Sequence, residues 1–81
     1  MPVLTVNVVD YNTNRPISGA IVSINGTAVV TDAHGRASFQ AAPANYNLNI
    51  SRNNYTPANQ LLVLSGNQTV TIQLVPMVGL L

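Results

Sequence analysis

Thr31-Asp32-Ala33-His34-Gly35-Arg36-Ala37-Ser38-Phe39 begins the stretch that decides the fold, and Pro43-Ala44-Asn45-Tyr46-Asn47-Leu48-Asn49-Ile50 with Asn54-Tyr55 completes it. Asp32 to Gly35 has the chemistry of a turn: the Asp side chain accepts bonds from backbone N–H groups just ahead of it, and Gly35 is the expected left-handed position. Arg36 to Gln40 then reads as a short strand with Ala37 and Phe39 on one face, and Ala41-Ala42-Pro43-Ala44 as a crossover. Tyr46, Leu48 and Ile50 alternate with Asn45, Asn47, Asn49 and Ser51, the period-two pattern of a strand buried on one side only. Asn54-Tyr55 turns the chain again.

Working outward, Leu4, Val6 and Val8 alternate with Thr5 and Asn7, a first half-buried strand. Asp10-Tyr11-Asn12-Thr13-Asn14-Arg15-Pro16 is rich in residues that satisfy local backbone groups or fix φ, which excludes a helix through it. Ala20, Val22 and Ile24 are expected to point inward. Asn25-Gly26 predicts a tight hairpin because both residues tolerate positive φ, and the β-branched Thr27 to Thr31 is the returning strand. Beyond the deciding stretch, Gln60 to Leu64 is a short apolar run and Ser65-Gly66-Asn67 predicts a second hairpin into Gln68 to Val75. In that strand Val70, Ile72 and Leu74 face in while Thr69, Thr71 and Gln73 face out. Pro76 ends the ladder, having no N–H to donate. The expectation is an all-β fold: one antiparallel Ig-like or transthyretin-like β-sandwich of about seven short strands over residues 1–75, followed by an apolar tail over 76–81.

The 81 residues suffice for one domain with a small core. Only 6% are charged, against roughly a quarter in an average soluble domain, and Lys and Glu are missing altogether. Amides and hydroxyls take over the surface. A net charge of +1 without a basic cluster gives no field to hold a polyanion, which disfavours nucleic acid. There is no cysteine, so neither a disulfide nor a thiolate site exists. No apolar run is long enough for a helix to span a bilayer. The start at Met1-Pro2-Val3-Leu4 lacks the features of a secretory signal, which suits a viral protein or one whose signal has been removed.

Taken together, Val8-Val9-Asp10, Pro16-Ile17-Ser18-Gly19-Ala20-Ile21-Val22, Thr31-Asp32 with Gly35-Arg36 and Phe39, Pro43 with Tyr46 and Leu48, Tyr55, and Ile72-Gln73-Leu74 resemble the carboxypeptidase regulatory-like domain, a transthyretin-like β-sandwich. The resemblance covers about residues 4–75. It implies a non-catalytic accessory or surface module of secreted and cell-surface proteins, with no catalytic residue to carry over. Asn7, Asn45 and Asn54 stand where members of the family often have Gly, and Asn is expected to keep those turns by accepting left-handed φ.

Each candidate site competes with a simpler reading. Asp10, Asn12 and Asn14 begin like a calcium loop, but Arg15 stands where such a loop needs Gly and no bidentate Glu follows, so an Asx turn is expected. Asp32, His34 and Arg36 share one turn, without a nucleophile elbow or oxyanion donors, so a backbone-bonded turn is expected in place of a catalytic pair. Tyr11, Tyr46 and Tyr55 could stack on sugar rings, yet the resemblance implies that Tyr46 and Tyr55 fill the core. Asn25, Asn49, Asn54 and Asn67 each begin an N-glycosylation acceptor pattern, making covalent glycans conceivable there. Met77, Val78, Leu80 and Leu81 form a tail without a polar side chain that is expected to bury itself, preferably against another subunit.

The reading that follows is a non-catalytic structural protein without cofactor or metal. It is expected to form a homo-oligomer, or to join other subunits, in a virion coat or decoration layer or an extracellular filament, placing it outside the cell or on a virion surface. The alternative is a carbohydrate- or cell-wall-binding accessory module of a secreted protein.

Overall fold

The computed structural model describes residues 2–77. They contain seven strands: β1 (Val3–Asp10), β2 (Ile21–Ile24), β3 (Thr27–Val30), β4 (Arg36–Gln40), β5 (Ala44–Ser51), β6 (Ala58–Leu64) and β7 (Gln68–Leu74). Two sheets result, a three-stranded one ordered β4-β1-β7 and a four-stranded one ordered β3-β2-β5-β6. The expected all-β sandwich is what forms, because every strand with a clear period of two has one apolar face to hide.

Those faces meet in a single core. Leu4, Val6 and Val8 of β1 are fully buried, as are Val22 of β2 and Leu48 of β5, with Phe39, Tyr46, Ile50, Leu62, Leu64, Ile72 and Leu74 closing around them. Burying each large aliphatic side chain contributes about 1.5–3 kcal/mol, the main return on ordering so short a chain. Ile17 and Ala20 join this core from the connection between β1 and β2. Thr31 is the one buried polar residue among the described residues, and its hydroxyl holds that connection in place: Oγ1 donates to the Ile17 carbonyl at 2.7 Å and accepts the Ala20 N–H at 2.9 Å.

Turn chemistry works where it was expected. Asn25 and Gly26 take φ of 48° and 79°, giving the two-residue hairpin between β2 and β3 a twist that matches its strands. Gly35 sits at φ 72° with almost no room: a Cβ there would lie 2.7 Å from the Val8 carbonyl oxygen and 2.9 Å from Pro16 Cβ. This close approach lets Val8 N–H donate to the Gly35 carbonyl at 2.7 Å.

Three expectations need correction. β1 and β7 pair in parallel, Leu4 beside Gln68 through Asp10 beside Leu74, so the sandwich is not wholly antiparallel. The first and last strands share no hairpin, and nothing local fixes their relative direction. Ser65-Gly66-Asn67 is not a hairpin either; it carries the chain from the four-stranded sheet to the three-stranded one. None of the three has positive φ, so no twist-matched tight turn forms, and the apolar faces of β6 and β7 meet across the core. Asn67 Oδ1 secures the crossover by accepting the Val3 N–H at 2.9 Å. Finally, of the three Asn at the family's glycine positions only Asn54 is left-handed, at φ 71°, while Asn7 and Asn45 lie inside β1 and β5.

Candidate functional site

β5 and β6 create the most unusual surface. Their register sets Asn45 beside Val63, Asn47 beside Leu61 and Asn49 beside Asn59, all directed away from the core. Leu61 and Val63, on this outward face of β6, the outer strand of its sheet, are 81% and 67% exposed. On the far side of β5, Ser51 pairs with Ile21 and Asn49 with Ser23, while Ile21 pairs with Val30 on β3. Ile21 and Val30 are also exposed. The outer face of this sheet thus has a central row of amides between two apolar margins, and no residue named on it carries a charge. An open groove lined by Asn45, Asn47, Leu61 and Val63 runs along the β6 margin.

Sequence alone does not isolate Leu61 and Val63. A run such as Leu61-Leu62-Val63-Leu64 suits a strand covered on both faces. The usable signal lies in β5, whose Asn45, Asn47 and Asn49 announce a solvent-facing side that its neighbour must share.

The two acidic turns are structural. Asp10 Oδ1 accepts the N–H groups of Asn12 at 2.7 Å and Thr13 at 3.1 Å, and Asn14 takes φ of 58°. Tyr55 donates its hydroxyl to the other oxygen, Oδ2, at 2.8 Å. That bond, more than the two backbone donors, holds the Asp10 carboxyl below the ordinary 3.8, and the same bond raises the Tyr55 phenol above its ordinary 10.0. Asp32 Oδ1 accepts the N–H groups of Arg36 at 3.1 Å and His34 at 2.8 Å, which lowers its pKa as well. His34 is exposed. Among the described residues, no three His, Cys, Asp or Glu side chains gather as a metal site would require.

The tyrosines separate by role. Tyr46 is buried with its hydroxyl donating to the Ala42 carbonyl at 2.6 Å, and Tyr55 is half-buried, so Tyr11 is the one exposed ring, at 57%. The glycosylation candidates are all exposed: Asn25 at the β2–β3 turn, Asn49 in the middle of the sheet face, Asn54 in the β5–β6 connection and Asn67 at the β6–β7 crossover. Of the tail, Met77 is exposed, and its N–H donates to the Asn54 carbonyl at 2.9 Å. Thr56 N–H donates to Val75, and Tyr55 bridges Pro76, so the chain leaving β7 is stitched to its own β5–β6 connection. Val78, Leu80 and Leu81 lie outside the described residues. Among those residues no helix is long and apolar enough to cross a membrane.

Comparison with known proteins supports the fold. A chain in the type II cohesin–X-dockerin complex of Acetivibrio cellulolyticus superposes with a TM-score of 0.72 at 20% identity, covering 95% of this chain and 56% of that one. This chain therefore spans little more than half the length of that relative. The 5-hydroxyisourate hydrolase of Klebsiella pneumoniae gives a TM-score of 0.68 at 26% identity, covering 95% and 87% of the two chains. The Caf1A usher C-terminal domain gives 0.58 at 14%, covering 91% and 97%. No curated protein sequence matches. The model of the carboxypeptidase regulatory-like domain matches residues 3–76, and the chain belongs to that family.

Proposed function

We propose that this domain is a non-catalytic interaction module used as a structural building block, in a virion coat or decoration layer or in an extracellular filament. One observation carries the reading: an uncharged sheet face ends in an open edge strand from which Leu61 and Val63 project into water. Large apolar side chains grouped at an unpaired edge favour association with another protein surface. Exposed apolar groups serve assembly in one protein of this fold: hydrophobic clusters on the surface of the Caf1A usher C-terminal domain are important for F1 antigen assembly. The cohesin–X-dockerin relative is itself part of a protein complex. Met77 and the tail beyond it supply a second apolar element for such contacts.

Catalysis is not part of this reading. The chain has one His and no Lys, Glu or Cys, and the carboxylates of Asp10 and Asp32 are both engaged by backbone donors. Glycans, where the chain passes through a glycosylating compartment, fit at Asn25 or Asn54; one at Asn49 would cover the face proposed for contact. Sugar binding has a single exposed ring, Tyr11, to work with.

Light scattering and negative-stain microscopy of the chain, with and without Met77 to Leu81, test the proposal. Particles or filaments larger than one subunit are expected from the full chain. Monomers from both forms at every concentration would refute it.

A further inference from the structure

Four strands are sheet edges among the described residues, and three of them are protected against pairing. β3 has only four residues, β4 has five and carries Arg36, and β7 turns Thr69, Thr71 and Gln73 outward. Short length, charge and polar side chains are the usual means of blunting an edge. β6 is longer than β3 and β4 and uncharged, and its polar side chains, Asn59 and Gln60, lie only in its first half. Its seven residues, Ala58 to Leu64, contain no charge, proline or glycine, and its outward face ends in Leu61 and Val63.

We propose that β6 is a self-recognition edge: a second copy of this chain pairs with it antiparallel about a two-fold axis, joining two four-stranded sheets into one. This deepens the building-block reading and rests on it. Antiparallel pairing must set outward residues against outward residues, because a slip of one would turn apolar side chains to the wrong face. The register centred on Leu62 does so and brings Leu61 against Val63 of the second copy, twice, by symmetry. The apolar margins that each subunit leaves in water then cover each other.

Charge points to a second copy and not to a charged partner. A charged partner would find no counter-charge on Asn59, Leu61, Val63 or the adjoining Asn45, Asn47 and Asn49, whereas two identical uncharged edges meet without repulsion. Amides, being donor and acceptor at once, are also self-complementary. Val75 to Met77, the last of the described residues, runs beside Thr56 to Asn54 in the direction away from Ala58, where β6 starts.

Sedimentation equilibrium of the full chain over a concentration series tests this, with Leu61→Lys and Val63→Lys on the edge and Thr71→Lys on β7 as control. Both edge positions are exposed, and circular dichroism checks that each variant stays folded. The native chain and Thr71→Lys are expected to dimerise alike. Each edge variant is expected to weaken the dimer by at least roughly 100-fold, the effect of placing cations near an apolar two-fold contact. Edge variants that associate like the native chain would overturn the inference. Association lost only on removing Met77 to Leu81 would overturn it while leaving the building-block reading standing. A monomeric native chain would overturn both.

Discussion

Tyr55 donates its hydroxyl to Asp10 Oδ2 at 2.8 Å across 45 positions of sequence, tying the β5–β6 connection to the end of β1 and so one sheet to the other. Both partners shift in consequence. Asp10 titrates below its ordinary 3.8, so its contribution to stability is present above that pH and disappears as pH falls through the lowered value. Tyr55 titrates above its ordinary 10.0, so its contribution is present below that pH and is lost as pH rises through the raised value.

Tyr55→Phe is therefore expected to lower the melting temperature at neutral pH and to remove the alkaline fall specific to this bond. Part of the acid fall should persist, because Asp32 is also lowered by its own backbone donors. Calorimetry across pH reads both limbs. An unchanged profile would mean that the bond does not couple the sheets.

Thr31→Val keeps the shape of the side chain and removes the hydroxyl that serves Ile17 and Ala20. Two buried backbone groups lose their partner, a cost of about 2–3 kcal/mol in chemical denaturation. Thr31→Ser, which keeps the hydroxyl, is expected to lose about 1 kcal/mol for its missing methyl group.

Gly35→Ala and Gly26→Ala separate conformation from space. Both glycines are left-handed, but a Cβ at Gly26 meets nothing within 4 Å, whereas one at Gly35 runs into Val8 and Pro16. Backbone strain alone costs about 1–2 kcal/mol, the loss expected at Gly26. Gly35→Ala should lose about 3 kcal/mol or more, since the clash adds to the strain. Equal losses would show that the tight approach to Val8 relaxes freely.

Asn7→Val is expected to stabilise the fold by about 1 kcal/mol, by replacing a poor strand residue whose buried Oδ1 has no hydrogen-bond partner. It lies mid-strand between Arg36 and Thr71. Destabilisation would mean that this amide has a partner such as water in solution.

Sequence reveals whatever depends on near neighbours. The one-sided alternation of Asn45 to Ser51 identifies β5 and its outer face, and Asn25-Gly26 identifies the β2–β3 turn, because period and φ are local properties. It does not reveal the crossover at Ser65-Gly66-Asn67, whose composition suits a hairpin equally well. Nor does it predict the Asp10–Tyr55 bond or the parallel pairing of β1 with β7, which exist only once distant segments have packed. The candidate site is harder to read: Leu61 and Val63 are exposed because they lie on the outward face that β6 shares with the amides of β5, and a continuous apolar run does not tell which of its residues lie there.

Because the chain contains no cysteine, a single introduced thiol reports contact between copies without interference. Mixing Leu61→Cys with Val63→Cys under mild oxidation, and comparing the rate of covalent dimer formation with that of Thr71→Cys alone, addresses association through the β6 edge directly. Rapid cross-linking of the 61 and 63 pair, with little at 71, is the predicted result. Equal rates at the two edges, or no cross-link between 61 and 63, would contradict it.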